Sequence, residues 1–358
     1  MEKILVMNPG STSTKIAVYE DENSLFVESL SHSSEELAPF EDIISQYEFR
    51  KGLILEALKN HGVALEDLTC IVARGGLLPP LSAGAYKVND DMVWQLTYAP
   101  QNEHASNLGA VIADAISKEL NHIPAYIYDA VTVDELDEIS KITGLPEMHR
   151  KGMGHNLNMR AAAMRYAKES KKAYKDINVI VTHLGGGISV SVHHDGRMID
   201  MISDDEGPFS PERAGGLPGF QIIKMMDQPD MDAKKMMKKV KTQGGLMGYF
   251  GINDTRELEK RIQNGDEKAK LIYDAMALNV AKNIAKLSVC VNGDVEQIIL
   301  TGGIAYSEYF TKEVEKRVKF IAPVLVYGGE NEMESLALGA LRVQRGQEEA
   351  RTFVKCEE

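Results

Sequence analysis

An internal repeat constrains this 358-residue chain more than any other feature. The segments ILVMNPGSTSTKIAV (4–18) and VIVTHLGGGISVSV (179–192) share one plan: apolar strand, polar residue, glycine-rich turn, alternating strand. Aligning Asn8 with His183 also aligns Gly10 with Gly185, at a constant offset of 175 residues, close to half the chain. Each copy then runs through a second strand into a third. Such a unit, repeated half a chain apart, implies two similar domains facing each other, each offering a loop to a cleft between them. Length agrees, since roughly 150 residues per domain gives about two domains.

The remaining elements alternate in the manner of α/β domains with mixed sheets. Strands are expected at 4–7, 15–19, 25–30, 70–73, 125–128, 179–182, 188–193, 198–203 and 297–300. Helices are expected near 40–61, 103–120, 134–142, 156–170, 255–263 and 266–291, with a last one from about Glu334. Ser33 to Glu36 has the form of a capping box. The basic run KKMMKKVK (234–241) reads as a solvated helix face, and His193 and His194 as facing solvent and a neighbouring strand.

Forty basic against 53 acidic side chains leave a net charge of −13. An acidic surface repels phosphate backbones and anionic lipid, which argues against nucleic acid or membrane as the main partner. It equally requires that any small anionic ligand be held by a few local cations. Cys70, Cys290 and Cys356 have no metal-ligand spacing and read as reduced thiols of a soluble, cytoplasmic protein. The apolar start is far too short for a signal core, and no run approaches the roughly 18 apolar residues of a membrane span.

Glycine and hydroxyl residues in tight turns leave backbone N–H groups free to cradle phosphate oxygens. Asn8-Pro9-Gly10-Ser11-Thr12-Ser13-Thr14-Lys15 offers hydroxyls and one ammonium, while His183-Leu184-Gly185-Gly186-Gly187 offers nearly bare backbone. Each turn alone could be an ordinary hairpin; as a symmetric pair they read as phosphate clamps. There is no GxxxxGK[ST] and no GxGxxG, which disfavours a P-loop enzyme and a dinucleotide-dependent dehydrogenase.

These paired loops resemble the phosphate-binding hairpins of the sugar kinase/heat-shock chaperone/actin ATPase superfamily, and within it the acetate kinase–butyrate kinase family. NPGSTSTK and HLGGGIS are similar to that family's two signatures, although acetate kinases usually carry Asn at the position of Gly186. GGLMGYFGINDTRELEKRI (244–262) resembles its glycine-rich nucleotide segment, TGGIAYSE (301–308) its adenosine loop and NEMESLALGAL (331–341) its C-terminal segment. ARGG at 73–76 and EGPFSPERAGGLP (206–218) look like the butyrate branch, with branched-chain fatty acid kinases as near alternatives.

The resemblance implies two similar domains of a duplicated actin-like ATPase (ribonuclease H-like) fold. The expected division is 1–151 with 336–358 on the carboxylate side and 152–335 for the nucleotide. It implies reversible phosphoryl transfer from ATP to a short aliphatic carboxylate, with Mg²⁺ and ADP, in a homodimer or larger assembly. A carboxylate with an ordinary pKa of roughly 4 to 5 is already ionised, so no strong general base is needed. In-line positioning and charge neutralisation then carry the catalysis. Acetate, propionate and branched-chain acids stay open as substrates, as does an ATP switch with no carboxylate site.

Arg74 follows an apolar strand and precedes two glycines, which suits a fork that binds the substrate carboxylate bidentately. Arg213, in the SPERAGG loop, is the second such candidate. By resemblance His155 matches the last histidine of the family's HGTSH motif, with Lys151 at the first. Which of Arg213, Lys151 and His155 meets the phosphoryl group stays open. His183 sits at the mouth of the second hairpin as a further phosphoryl contact. Asp129 matches the acid that orients an arginine or helps hold magnesium. Asn8 and Glu334 would hold the metal, with Glu330 and Glu332 close enough in sequence to compete. Ser11, Lys15, Gly185, Gly186 and Gly187 would touch the phosphates. Asp254, Arg256, Gly302, Gly303 and Ile304 would line the nucleoside site, although Asp254 also suits a helix cap.

Overall fold

The computed structural model describes residues 1–100, 102–329 and 331–355. They form two units, Met1–Asp134 with Asn331–Glu358, and Glu135–Glu330.

The first unit is built on a seven-stranded mixed sheet: β1 (Lys3–Pro9), β2 (Ser13–Glu20), β3 (Asn23–Ser31), β4 (Cys70–Arg74), β5 (Ala85–Lys87), β6 (Ala125–Tyr128) and β12 (Arg351–Thr352). The second carries a five-stranded sheet: β7 (Val179–Leu184), β8 (Ile188–His194), β9 (Arg197–Ile202), β10 (Gln297–Gly302) and β11 (Val324–Gly328). The repeat becomes physical here. The order β6-β4-β1-β2-β3 in one sheet is matched by β11-β10-β7-β8-β9 in the other. In each, a central strand pairs antiparallel with the next strand and parallel with a later one. The fold is a duplication.

Central position explains central composition. Ile4 to Met7 and Val179 to Leu184 are fully buried, because layers cover both faces of an inner strand with parallel neighbours. Burying each Ile, Leu, Val or Met side chain among them contributes about 1.5–3 kcal/mol. The outer strand β3, by contrast, alternates between partly buried and exposed positions, as expected where one face meets water. Leu5, Met7, Ile16, Ile71 and Leu108 belong to the core of the first unit, and Ile180, Val190, Tyr273, Val280 and Phe310 to that of the second.

Register refines the repeat. Met7 faces Ile16 and Thr182 faces Val190, so the offset is 175 on the first strand but 174 on the second. The second hairpin is therefore one residue shorter at its turn. From there the two copies keep step: the bulge lies between Val18 and Tyr19 in one and between Val192 and His193 in the other. Asp21 and Asp195, 174 apart, both adopt left-handed φ in the following turn.

Each sheet is covered by a helix that follows the last parallel strand of the other. Helix Glu332–Gln344 packs on β1 and β4, and helix Asn156–Glu169 packs on β7 and β10. The capping box at Ser33–Glu36 is present in full. Helix Ala233–Thr242 buries only Met236, in keeping with a solvated basic face. Three expectations need correcting. The helix expected over 134–142 shrinks to one turn, Glu138–Lys141, whose Ile139 is exposed and has no apolar partner to bury. Two others start later than expected, at Tyr47 and Leu108. Among the described residues, no helix is long and apolar enough to cross a membrane. Cys70 and Cys290 are free thiols, and Cys356 lies outside the described residues.

His193 does not face solvent. It is fully buried, with Tyr174 Oη 2.7 Å from Nδ1 and Ser191 Oγ 2.8 Å from Nε2. Burial, reinforced by the nearby Arg160 charge, pushes its pKa down to about 3. The unfolded imidazole titrates near 6.5, so acid favours unfolding across the interval from about 6.5 down to 3. The stabilising effect of keeping His193 neutral is whole above that interval. This group alone should make the protein about 2 kcal/mol less stable at pH 5 than at pH 7. Urea unfolding of the native chain and of His193→Gln at both pH values should show a shallower pH dependence in the variant; equal slopes would refute the assignment.

Candidate active site

In the first unit, polar groups collect where the buried strands end. Asn8 lies near the end of β1, directly across from Lys15 on β2, and directly opposed residues of an antiparallel pair share a face. Helix Glu332–Gln344 begins over that place. Glu332 Oε2 accepts a hydrogen bond from Asn8 Nδ2 at 2.5 Å, and Oε1 accepts from Arg74 Nη1 at 3.4 Å. Arg74 is the last residue of β4, and its backbone is packed in tightly: a Cβ on Gly75 would lie 2.6 Å from Ala130 Cβ. Asn8, Lys15, Arg74 and one carboxylate therefore belong to the same corner of the sheet.

That carboxylate is not the one expected. Glu334 is exposed, and its charge is felt instead at Tyr19, whose pKa is raised mainly by burial and further by Glu334. Two residues along a helix turn the side chain through about 200°, so Glu332 and Glu334 cannot share a face. Glu330 lies outside the described residues. Asp129 is buried just past β6, and Gly84 donates its N–H to Oδ1 at 2.7 Å. It holds a left-handed φ of 41°, a strained conformation for a non-glycine residue, and no helix begins at it. Ser11 and Lys15 are exposed.

The second unit places its own groups by the same logic. His183 on β7 occupies the position equivalent to Asn8, and it faces Ser189 on β8. Helix Asn156–Glu169 begins there, and His155, at its N-cap, stacks on His183 with ring centroids 4.0 Å apart. His155 Nδ1 lies 3.0 Å from Ser189 Oγ. Its side chain makes no cap hydrogen bond to the helix. Lys151 is exposed.

The turn Gly185–Gly187 is braced by the loop Ser210–Arg213. Ser210 Oγ donates to Gly186 O at 2.6 Å, and Glu212 N donates to the same oxygen at 3.3 Å. Arg213 pairs with Asp204 beside Gly187. Gly302 ends β10 against the end of β7. Its φ is +94°, and a Cβ there would stand 2.4 Å from Leu184 O. Ile304 is buried, whereas Gly303 faces open space. Tyr306 lays its ring on Gly328 and Gly329 and leaves 76% of the residue exposed, a flat apolar platform beside the Gly302 turn. Asp254 caps helix Thr255–Gln263 by accepting from Arg256 N at 2.9 Å. It also pairs with the Arg256 side chain, which holds the Asp254 pKa down to about 2.

Sequence reasoning missed several of these groups. Glu332 was crowded by its neighbours, and Tyr306 was not singled out within TGGIAYSE (301–308). His104 lies near enough to Arg74 for that charge to add to desolvation in lowering its pKa. Arg50 is the most consequential omission. Helix Tyr47–Asn60 buries Arg50, Ile54, Ala57 and Leu58, an i, i+4, i+7, i+8 stripe, so a basic residue on the apolar face was a readable signal.

Two sheets of one strand order, each with a helix N-terminus set at the end of its first strand, define the duplicated actin-like ATPase fold. Solved structures share that fold. Acetate kinase of Porphyromonas gingivalis matches with a TM-score of 0.80 at 18% identity, over 96% of this chain and 100% of that one. A propionate kinase of Francisella tularensis matches with a TM-score of 0.76 at 20% identity, over 95% and 99%. Residues 147–335 match the Acetokinase family. Butyrate kinase 1 of Clostridium acetobutylicum is 48% identical over 99% of this chain and 100% of its own length. The chain belongs to the acetokinase family.

The glycine geometry is open to test. Gly302→Ala forces a left-handed side chain against Leu184 O and should destabilise the protein by about 1–3 kcal/mol. Gly303→Ala, into open space, should leave thermal unfolding unchanged. Equal effects of the two would contradict the close approach described.

Proposed function

We propose that this chain is a butyrate kinase, transferring the γ-phosphoryl group of ATP to the carboxylate of butyrate and, in reverse, forming ATP from butanoyl phosphate and ADP. The observation that carries the reading is Arg74, a guanidinium fixed at a strand end and steered by Glu332, in the same corner as Lys15 and Asn8. Full-length kinship to a clostridial butyrate kinase supports butyrate as the acceptor.

The chemistry asks for little more. One carboxylate oxygen of the acid forms the new bond to phosphorus as the bond to the β–γ bridging oxygen breaks, and ADP departs. Both nucleophile and leaving group are anions, so no proton must move in the step. Arg74 binds and orients the acceptor, since a planar fork matches a carboxylate bidentately. In the second unit, the Gly185–Gly187 turn takes the nucleotide phosphates, and the Gly302–Tyr306 turn with Asp254 and Arg256 takes the nucleoside. His155, His183 and Arg213 in the second unit, and Ser11 and Lys15 in the first, are each suited to phosphate oxygens. Asp129 holds the backbone beside Arg74.

Magnesium belongs to the reading. Among the described residues no group of three or more His, Cys, Asp or Glu side chains could hold a metal alone. Mg²⁺ needs only one or two protein oxygens when phosphates and water supply the others. Glu332 with Asn8 meets that need, and takes the place first assigned to Glu334. When bound, the ion would neutralise charge on the phosphate oxygens.

A kcat/KM series over acetate, propionate, butyrate, isobutyrate and valerate, with hydroxylamine trapping of the acyl phosphate, tests the substrate. One methylene is worth about 1–3 kcal/mol in an apolar pocket, so butyrate should lead by tenfold or more. A lead by isobutyrate or acetate would move the assignment to that acid, and ADP formation independent of any carboxylate would end it. Arg74→Ala should raise the butyrate KM and cut kcat by about 100-fold while leaving the ATP KM unchanged. Unchanged butyrate kinetics would remove Arg74 from the site.

A further inference from the structure

Arg50 is a buried charge that pairs with no carboxylate among the described residues. It is 1% exposed, and burial pushes its guanidinium pKa below the usual arginine value. Taking an ion out of water costs several kcal/mol unless its surroundings compensate. Here the surroundings are the first glycine turn. Nη1 donates to Gly10 O at 2.7 Å, to Ser13 O at 3.3 Å and to Thr14 Oγ1 at 3.2 Å. Nη2 donates to Ser11 O at 3.1 Å and to Gln46 Oε1 at 2.7 Å, and Nε donates to the same Gln46 oxygen at 3.1 Å.

The remaining turn carbonyl is also engaged. Thr12 O accepts from His32 N at 2.8 Å, and Ser13 O accepts from Gly10 N at 2.7 Å. Buried His32 stands with Nε2 2.8 Å from Thr14 Oγ1, closing the cluster on its other side. All four carbonyls from Gly10 to Ser13 thus turn toward the protein. The N–H groups of Ser11 and Thr12, both exposed residues, meet no acceptor among the described residues. A turn whose carbonyls face inward presents its amides outward, and successive free amides form an anion nest. The positive charge behind them strengthens that field.

We propose that Arg50 is a positioning residue: it builds the Ser11–Thr12 amide nest from behind, and that nest receives the phosphoryl group being transferred. The inference deepens the kinase reading above and rests on it for the identity of the anion. It explains why an arginine, with five donors in a planar fork, occupies a position on an apolar helix stripe. Lysine, with a single point charge, cannot span three carbonyls and a glutamine. The second turn is braced by other means, Ser210 Oγ and Glu212 N on Gly186 O, so the two repeats reach the same end with different side chains.

Arg50→Lys and Arg50→Met, purified as the full chain, test this through kinetics and hydrogen exchange together. Arg50→Lys should lower kcat by about 100-fold, the scale of a lost oxyanion donor, with the butyrate KM within about threefold of native. Amide exchange of the peptide spanning Gly10 to Thr14 should accelerate while that of β4 stays protected. A kcat within threefold of native, or unchanged exchange at the turn, would overturn the proposal. So would a loss of activity matched by an equal loss of folded protein, with the surviving fraction showing native kcat. Should Arg50→Met fail to fold, Gln46→Leu removes only the acceptor that orients the fork, and should give a smaller drop in kcat with the same local exchange change. If the native chain forms no ADP in response to butyrate yet the variants loosen the turn, the positioning role stands and the kinase reading falls.

Discussion

Both units obey one constraint: a central strand covered on both faces is apolar over most of its length, Thr182 apart, until it nears its end. Ile4 to Met7 and Val179 to Val181 are buried apolar runs, and Asn8 and His183 are the polar residues close to the ends of those two strands. The polar groups of each corner are gathered around those two ends. The neighbouring antiparallel strand supplies a residue across the ladder, the covering helix brings its first residue over the same spot, and the turn beyond offers backbone amides.

Duplication preserved this geometry and let the side chains diverge. In the first copy the corner holds Asn8, Lys15 and Glu332 with Arg74. In the second it holds His183, Ser189 and His155. One set is rich in full charges and the other in imidazoles and a hydroxyl. The net charge of −13 is no obstacle, because Arg50, Arg74 and Lys15 concentrate positive charge locally in the first unit. Net charge governs long-range encounter, whereas a few local cations set the field at one corner.

Much of this was legible without coordinates. The strand–turn–strand repeat, the capping box at Ser33 and the solvated helix at 233–242 all follow from local pattern. Arg74 could be singled out because a cation between a buried strand and two glycines has few structural uses. The errors share a different character. His193 was read as facing solvent because alternation along a strand does not say what covers its far face, and Tyr174 reaches it from outside the strand while Ser191 lies two residues back on the same face. That Glu332 and not Glu334 meets Asn8 depends on helical phase, and phase depends on where the helix starts. The offset of 175 missed the single residue lost at the second turn, which only strand register reveals.

What the sequence by itself determined is the duplicated architecture, the two glycine turns and the kinds of group near them, since these depend on periodicity and local backbone freedom. Which carboxylate meets Asn8, which histidine stacks on His183 and what holds the first turn open were decided by tertiary structure. Arg50 lies 40 residues from Gly10 and shares no motif with it. Its role arises because a folded layer buries a charge where the available partners are backbone carbonyls, one threonine hydroxyl and one glutamine. Long-range packing alone can bring those groups together.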